Sequence, residues 1–453
     1  MATVVKRTKT GCSNSEVGPL FTLVNDVAFN DTLEKRYFQF FKSKTVASTN
    51  SLIGANFWDR TVLQACHLEP AVKHAVLALS AWHQYSDHIS ESQHRDFADR
   101  QYQLALEKAR ELLGSANPGD IDKVLTACVV FICFESVRGN FKDSQLHMDN
   151  GRAIARQHAD RLKQGHRRQD LVEIQQTLFR LDLPAVCFSD KSSPYHYTME
   201  DFLATQPTLV PWEFQSIFEA RDSLIDLSRW MLILGQTADA AFDAGDIVAI
   251  AEIHAEKEKC SQRLRLWYDF FELIAAKSDP SMQLLILNLR QWFHGCQAIG
   301  KAELMGPETR WDKVQDHFEV IINVSEEIVR RLAAMGDRGA SFSYDIGYII
   351  VVFLTATRCR DPFLRRRAIH ILRVLPRQEG MWASVPAAAI AERHMQLEEE
   401  GLEYVRTKED VPEWKRIHNI EVAVDVVRNL AMVDYSTKDE LGNSHVREEE
   451  VRW

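Results

Sequence analysis

Apolar residues recur every three or four positions along most of the chain beyond residue 21, as expected for helices that bury one face. In residues 68–84 the recurring positions are Val72, Val76 and Leu79, and Pro70 lies near the start, where its missing N–H breaks no hydrogen bond. Equivalent spacing predicts further helices over 94–113, 120–137, 141–162, 223–245, 249–275, 281–304 and 308–334. Helices joined by short turns pack as antiparallel hairpins. The pattern therefore predicts an all-α fold of stacked antiparallel helix hairpins.

The period of the pattern changes near the C-terminus. In residues 416–427 apolar and more polar residues alternate, and a second short run follows at 430–435. The alternating apolar residues are Ile420, Val422, Val424 and Val426. Alternation with a period of two predicts strands, so we expect a small C-terminal β-hairpin beside the helical body. Residues 437–453 are charged and aperiodic and are expected to form a disordered tail.

The same pattern divides the chain into three segments. Residues 1–20 are polar and lack periodicity, which predicts a disordered basic arm. Residues 21–436 form the helical body. Its least regular stretch is 184–212, where a seam between two helical lobes is expected because prolines interrupt the pattern at Pro184, Pro194, Pro207 and Pro211.

Composition and charge narrow the classes of function. The chain has 453 residues, of which 45% are hydrophobic, as in a folded protein, and a formal net charge of −10. A broad basic face that grips nucleic acid is therefore not expected. The scattered cysteines, without close-spaced pairs, indicate reduced thiols inside a cell. The longest apolar runs, 124–134 and 346–356, are shorter than the roughly 18 residues that span a bilayer, so no membrane segment is expected.

Two motifs imitate ligand sites. Residues 295–302, GCQAIGKA, satisfy the first part of a phosphate-binding loop, but Ala302 stands where a magnesium-binding hydroxyl is needed and a helical pattern precedes the motif. Four residues could suggest a metal site, yet they lack the short-spaced pairing of metal ligands. These residues are Cys66, His67, His74 and His83. Both motifs are better explained as parts of packed helices.

Charged residues next to apolar runs have a similar structural explanation. Glu135, Arg138 and Asp345 could be acid–base groups, but no nucleophile or cofactor motif accompanies them, so ion pairs or helix caps are favoured. The arginines that open residues 365–372 are expected on a solvated helix face. No catalytic residue, bound cofactor or metal ligand is predicted, and the chain is not expected to be an enzyme.

Five helical blocks, taken in order, resemble the regulatory domain of fungal zinc-cluster transcription factors, particularly those linked to secondary metabolism. The blocks are 69–83, 102–110, 125–151, 342–384 and 414–426. The resemblance extends over residues 35–436 and implies a nuclear regulator of transcription that controls a biosynthetic gene cluster. It also implies a small-molecule effector and protein partners, in a homodimer or a heterodimer with a zinc-cluster factor.

The N-terminus departs from that family. Residues 7–12, RTKTGC, match the start of the zinc-cluster module, but the next cysteine after Cys12 is Cys66. Each zinc ion needs about four ligands, so the resemblance implies that the DNA-binding module is missing after Cys12. Either a coding segment was lost at a splice boundary or the shortened protein is genuine. In both cases specific DNA binding by this chain alone is not expected.

The basic arm leaves two functional hypotheses. Lys6, Arg7 and Lys9 could add weak phosphate attraction or assist nuclear import, or they could be an inactive remnant of the module. The first hypothesis for the whole chain is a transcriptional regulator of the zinc-cluster type. The alternative is a DNA-free co-regulator or scaffold that associates with a full-length zinc-cluster factor.

Overall fold

The computed structural model describes residues 29, 31–46, 57–87, 92–115, 120–157, 168–187, 211–303, 306–335, 342–344, 346–426, 428–439 and 441–453. This part of the chain contains fourteen α-helices and two small sheets, which confirms the predicted all-α fold with a minor C-terminal β element. No helix within these ranges has the length and apolarity needed to cross a membrane.

The first half of the chain contains seven helices. They are α1 (Thr32–Phe40, continued as a π-helix at Phe41–Thr45), α2 (Val62–Leu68, preceded by a π-helix at Phe57–Thr61), α3 (Pro70–Asp87), α4 (Ser92–Ser115), α5 (Ile121–Arg138), α6 (Phe141–Gln157) and α7 (Arg168–Val186). Helix α3 packs on α4, and α5 on α6, so the predicted helix hairpins are present.

The second half adds seven helices and the strands. They are α8 (Ile217–Asp243), α9 (Ile247–Ala275), α10 (Gln283–Lys301), α11 (Gln315–Ala334), β1 (Phe342–Ser343), α12 (Ile349–Arg358), α13 (Pro362–Val374), β2 (Gln378–Glu379), β3 (Trp382–Ala383), α14 (Ser384–Glu399), β4 (Asn419–Asp425), β5 (Leu430–Lys438) and β6 (Ser444–Arg452). Consecutive helices again pair, α8 with α9, α10 with α11 and α12 with α13.

The turn between α5 and α6 shows why one glycine is needed. Gly139 ends α5 in the left-handed region, with φ 75°, as the sequence predicts. A Cβ atom on Gly139 would lie 2.5 Å from Cγ2 of Val426, which follows β4. Any side chain at this position would therefore strain the turn and displace the C-terminal sheet from the N-terminal helices.

The apolar core has two large parts and a smaller one. The first part lies among α1–α7, the second extends from the end of α7 to α14, and the third lies between α14 and the C-terminal sheet. Trp58 of the first half stacks on Tyr344 of the second, with ring centroids 4.9 Å apart. The two halves are consequently packed together. The predicted seam at 184–212 falls mainly on residues outside the described ranges.

The C-terminal sheet is larger than predicted. Strands β4 and β5 form the expected antiparallel hairpin, in which Val422 pairs with Val433, and β6 pairs with β5 on its other side. The prediction of a disordered tail over 437–453 is therefore wrong. Strand β6 was missed because its side chains are mostly charged and Val446 and Val451 are its only apolar residues. Charged strands are typical of exposed sheet edges.

One predicted helix begins later than expected. Residues 308–334 were predicted as one helix, whereas Glu308–Val314 form a 3₁₀-helix and α11 begins at Gln315. The positions of 308–334 that recur at helical spacing are buried in α11, namely Phe318, Ile321, Ile322, Ser325, Ile328 and Leu332. The end of the helix predicted over 141–162 lies outside the described residues after Gln157.

Candidate functional site

The phosphate-loop imitation lies within a helix. Residues 295–301 belong to α10, so the strand, loop and helix of a nucleotide-binding loop are not present there. Gly295 instead permits close packing, since a Cβ at this position would lie 3.0 Å from Cγ1 of Val351 on α12. The structural explanation of this motif is correct.

Two of the three histidines in the metal-site imitation bind protein groups. His74 Nδ1 lies 2.6 Å from Gln101 Oε1, and His83 Nδ1 lies 3.0 Å from Thr45 Oγ1. No group of three or more His, Cys, Asp or Glu side chains with the geometry of a metal site occurs in the described part of the chain.

The charges next to apolar runs form ion pairs, as expected. Arg138 lies 3.8 Å from Glu135 and 3.2 Å from Asp99, and its guanidinium lies over the Trp82 ring. The basic arm with Lys6, Arg7, Lys9 and Cys12 lies outside the described residues, as does Asp345.

The strongest polar cluster is buried between α13 and α14. The Glu398 carboxylate accepts from Arg360 Nη2 at 2.7 Å and from Arg365 Nη2 at 2.6 Å. All three side chains are at most 1% exposed. Burial opposes ionisation of Glu398, but the two guanidiniums outweigh it and hold the pKa of this carboxyl well below its usual range. Glu398 is therefore a buried carboxylate that forms ion pairs with two buried cations, of which Arg360 also lies 3.5 Å from Glu308.

The cluster fixes the segment that leads into the C-terminal sheet. Ile417 N donates to Glu398 Oε1 at 2.7 Å, and Arg360 Nη2 donates to the carbonyl oxygen of Ile417 at 3.2 Å. Arg358 donates to Glu308 Oε2 at 2.7 Å and to the carbonyl oxygen of His418 at 3.2 Å. The sheet is thus attached to the helices by charge-assisted hydrogen bonds as well as by apolar contacts.

Sequence reasoning missed this cluster. The arginine run was expected on a solvated face, and Arg366 and Arg367 do form surface ion pairs, but Arg365 is buried. The partner that stabilises the buried Arg365, Glu398, lies on a different helix. The helical spacing of residues around Arg365 does not indicate a partner on another helix.

His394 lies one helical turn before Glu398. Its environment leads us to expect that the free energy of unfolding depends on pH. Its Nε2 lies 3.0 Å from Glu398 Oε1, and burial lowers the pKa of His394 to about 4 although Glu398 opposes this. The histidine is neutral in the folded protein and titrates near 6.5 when unfolded. Stability from this group is complete above about pH 6.5 and is lost as the pH falls towards 4, by on the order of 3 kcal/mol.

The expected result is a urea midpoint that falls between pH 6.5 and pH 4. In His394→Gln, whose amide still donates to Glu398 but does not titrate, this fall should be shallower. A slope equal to that of the unaltered chain would show that His394 is not responsible.

Buried thiols in this structure are not nucleophiles. Burial raises the pKa of Cys128 to about 12 and that of Cys296 to about 11, so both thiols are protonated at neutral pH. In the described ranges, the polar clusters are accounted for by packing and ion pairing.

Surface arginines on the second half are neutralised by nearby carboxylates. Arg367 binds Glu326 at 2.8 Å, and Arg447 binds Glu400 at 2.8 Å. The ion pair between Arg373 and Glu392 repeats this arrangement on α13 and α14. Paired arginines on an acidic chain do not create the basic face that a nucleic-acid backbone requires.

Comparison with known families shows which family one part of the chain resembles. Residues 36–216, which extend from α1 to the start of α8, match the fungal specific transcription factor domain. The match covers less than half of the chain. It includes the helices of the first apolar core and three of the five blocks that resemble zinc-cluster factors, 69–83, 102–110 and 125–151.

Two curated relatives support the assignment. The aspercryptin biosynthesis cluster-specific transcription regulator atnN of Emericella nidulans is 23% identical over 313 residues, covering 65% of this chain and 50% of the relative. The transcription regulator lscL of Purpureocillium lilacinum is 27% identical over 161 residues, covering 33% of this chain and 37% of the relative. The chain spans about half the length of the curated relatives it matches, or less. No solved structure matches it.

The names of the family and of both relatives describe transcription regulators and not enzymes. This agrees with the prediction from the sequence that the chain is not an enzyme.

Proposed function

We propose that this chain is a nuclear regulator of transcription that controls a biosynthetic gene cluster. The observation that carries the proposal is the match of residues 36–216 to the fungal specific transcription factor domain. The name of the first relative, a cluster-specific regulator, supports the class of target genes. The ion-paired scaffold of the second half supports a regulatory body that presents a fixed surface to partners.

The helical body is proposed to control activation while a zinc cluster reads DNA. The net charge of −10 and the paired surface arginines argue against DNA binding by the body itself. Sequence-specific recognition would therefore come from a zinc-cluster segment in a protein partner, with which this chain forms a dimer. Lys6, Arg7 and Lys9 are proposed to contribute only to weak phosphate contact or nuclear import. Nuclear accumulation of a tagged chain with all three changed to alanine tests that contribution.

Deletion of the gene tests the main proposal. Transcripts of a contiguous set of biosynthetic genes should fall or rise together by roughly tenfold, whereas transcripts elsewhere change little. Re-expression of the unaltered chain should restore them. A transcript profile that is identical with and without the gene would rule the proposal out.

The same acidic, ion-paired surface also favours the second candidate function, a DNA-free co-regulator that associates with a full-length zinc-cluster factor. A mobility-shift assay with promoter DNA of the affected genes separates a co-regulator from a chain that binds DNA by itself. The co-regulator predicts no shift by the purified chain and a supershift when the zinc-cluster factor is added. A tight, sequence-selective shift by the purified chain alone would exclude this candidate.

A further inference from the structure

An apolar cavity lies between the C-terminal sheet and the helices. Its volume is about 140 Å³, and it is partly open to solvent. One wall is formed by Ile420, Val422 and Val424 of β4, and the opposite wall by Phe353, Trp382 and Ile390. None of the described residues that line the cavity is charged. This composition is typical of a pocket for an apolar molecule.

The pairing of the strands shows that protein side chains do not fill the space beside β4. Val422 is paired with Val433, and Val424 with Ala431, so these side chains lie on the same face of the sheet. On β5 that face is completely buried, because Val433 and Ala431 are 0% exposed. On β4 it remains half-buried. The face that β5 packs against α14 therefore continues onto β4, where its side chains pack only partly against the rest of the protein.

The position of β5 explains the gap. Tyr435 on β5 donates its hydroxyl to the carbonyl oxygen of Ile390 on α14 at 3.1 Å, and β5 and β6 both pack directly on that helix. Strand β4 lies further out, where Phe141 of α6 and Val426 border the cavity. The sheet is fixed along one side and leaves a space under the other.

We propose that this cavity binds one small, uncharged and mostly apolar molecule, of about the size of a single substituted aromatic ring. An apolar protein cavity of about 150 Å³ is known to hold benzene, which sets the size of the occupant. The donor groups of Gln378 are already used by the carbonyl oxygens of Ser136 and Gly380. The thiol of Cys187 borders the same space and leaves room for no more than one weakly polar substituent.

Occupation of the cavity would connect three parts of the molecule. Its walls come from α6 of the matched domain, from α12 and α14 of the second half, and from the sheet. A bound molecule fills contacts that β4 lacks and so stabilises the sheet against both groups of helices. This inference concerns binding by the isolated protein and does not depend on the proposed role in transcription.

Toluene is the probe for the test, with benzoate as a charged molecule of similar size. Toluene should give saturation-transfer NMR signals with the purified chain and raise its Tm. Benzoate should do neither, because the cavity offers no cation.

Two variants fill the space from opposite walls, namely Ala387→Leu on α14 and Val424→Phe on β4. Each should weaken toluene binding by roughly tenfold or more. Val446→Phe, on the exposed side of β6, is the matched control and should bind as the unaltered chain does. If Ala387→Leu fails to fold, Val424→Phe remains informative because its side chain is only half-buried.

Absence of toluene binding, or equal binding by the filled variants, would overturn the proposal.

Discussion

Replacement of Glu398 by alanine should lower the free energy of unfolding by about 3–5 kcal/mol. The substitution removes the carboxylate that neutralises Arg360 and Arg365, and it leaves two guanidiniums buried beside each other. It also removes the acceptor of the Ile417 amide, which connects the helices to the C-terminal sheet. Because a folded domain is stable by only about 5–15 kcal/mol, this loss is a large share of the whole stability. Urea unfolding followed by circular dichroism measures the effect.

Glu326→Ala is the matched control for this variant. Glu326 also binds an arginine of α13, Arg367 at 2.8 Å, but both side chains are well exposed. An exposed ion pair contributes at most about 1 kcal/mol, so this variant should unfold almost as the unaltered chain does. Equal losses in the two variants would show that the buried cluster has no special role.

Replacement of Trp267 by alanine should cost about 3–5 kcal/mol of unfolding free energy. Trp267 is 0% exposed and stacks on Phe271 with ring centroids 4.7 Å apart. Its indole donates to the carbonyl oxygen of Ala220 at 2.8 Å, and its ring also faces Phe293. One side chain thus joins α8, α9 and α10. Its removal leaves a large cavity in the second apolar core.

Trp212→Ala provides the comparison, because Trp212 is 88% exposed and touches only the edge of the same helix layer at Phe270. Its change in stability should stay within about 0.5 kcal/mol. A Trp267→Ala chain whose thermal unfolding matches that of Trp212→Ala would contradict the placement of Trp267 at the centre of the core.

The helices could be predicted from the sequence because each buries a regular face. In α11 the period of the apolar residues identifies its buried positions, and in α5 the glycine after the helix marks its end. The alternation of Ile420, Val422 and Val424 likewise identified β4. Strand β6 could not be found in this way. It lies at an exposed edge of the sheet, and apolar and polar residues do not alternate along it.

The buried cluster and the cavity could not be predicted, for a different reason. Arg365 and Glu398 are separated by 33 positions, and only the packing of α13 on α14 brings them together. The cavity depends on how far β4 stands from α14, which is decided by the anchoring of β5 at Tyr435. Both features arise from tertiary geometry, which local sequence patterns do not reveal.

The most direct test of the account is to tether the chain to an unrelated DNA-binding domain and measure a reporter gene placed behind that domain's site. The account predicts a clear change in reporter transcription, which should be weakened in the destabilised Glu398→Ala chain and retained in Glu326→Ala. Reporter transcription equal to that of the DNA-binding domain alone, with folded chain present at the promoter, would contradict the claim that this protein regulates transcription.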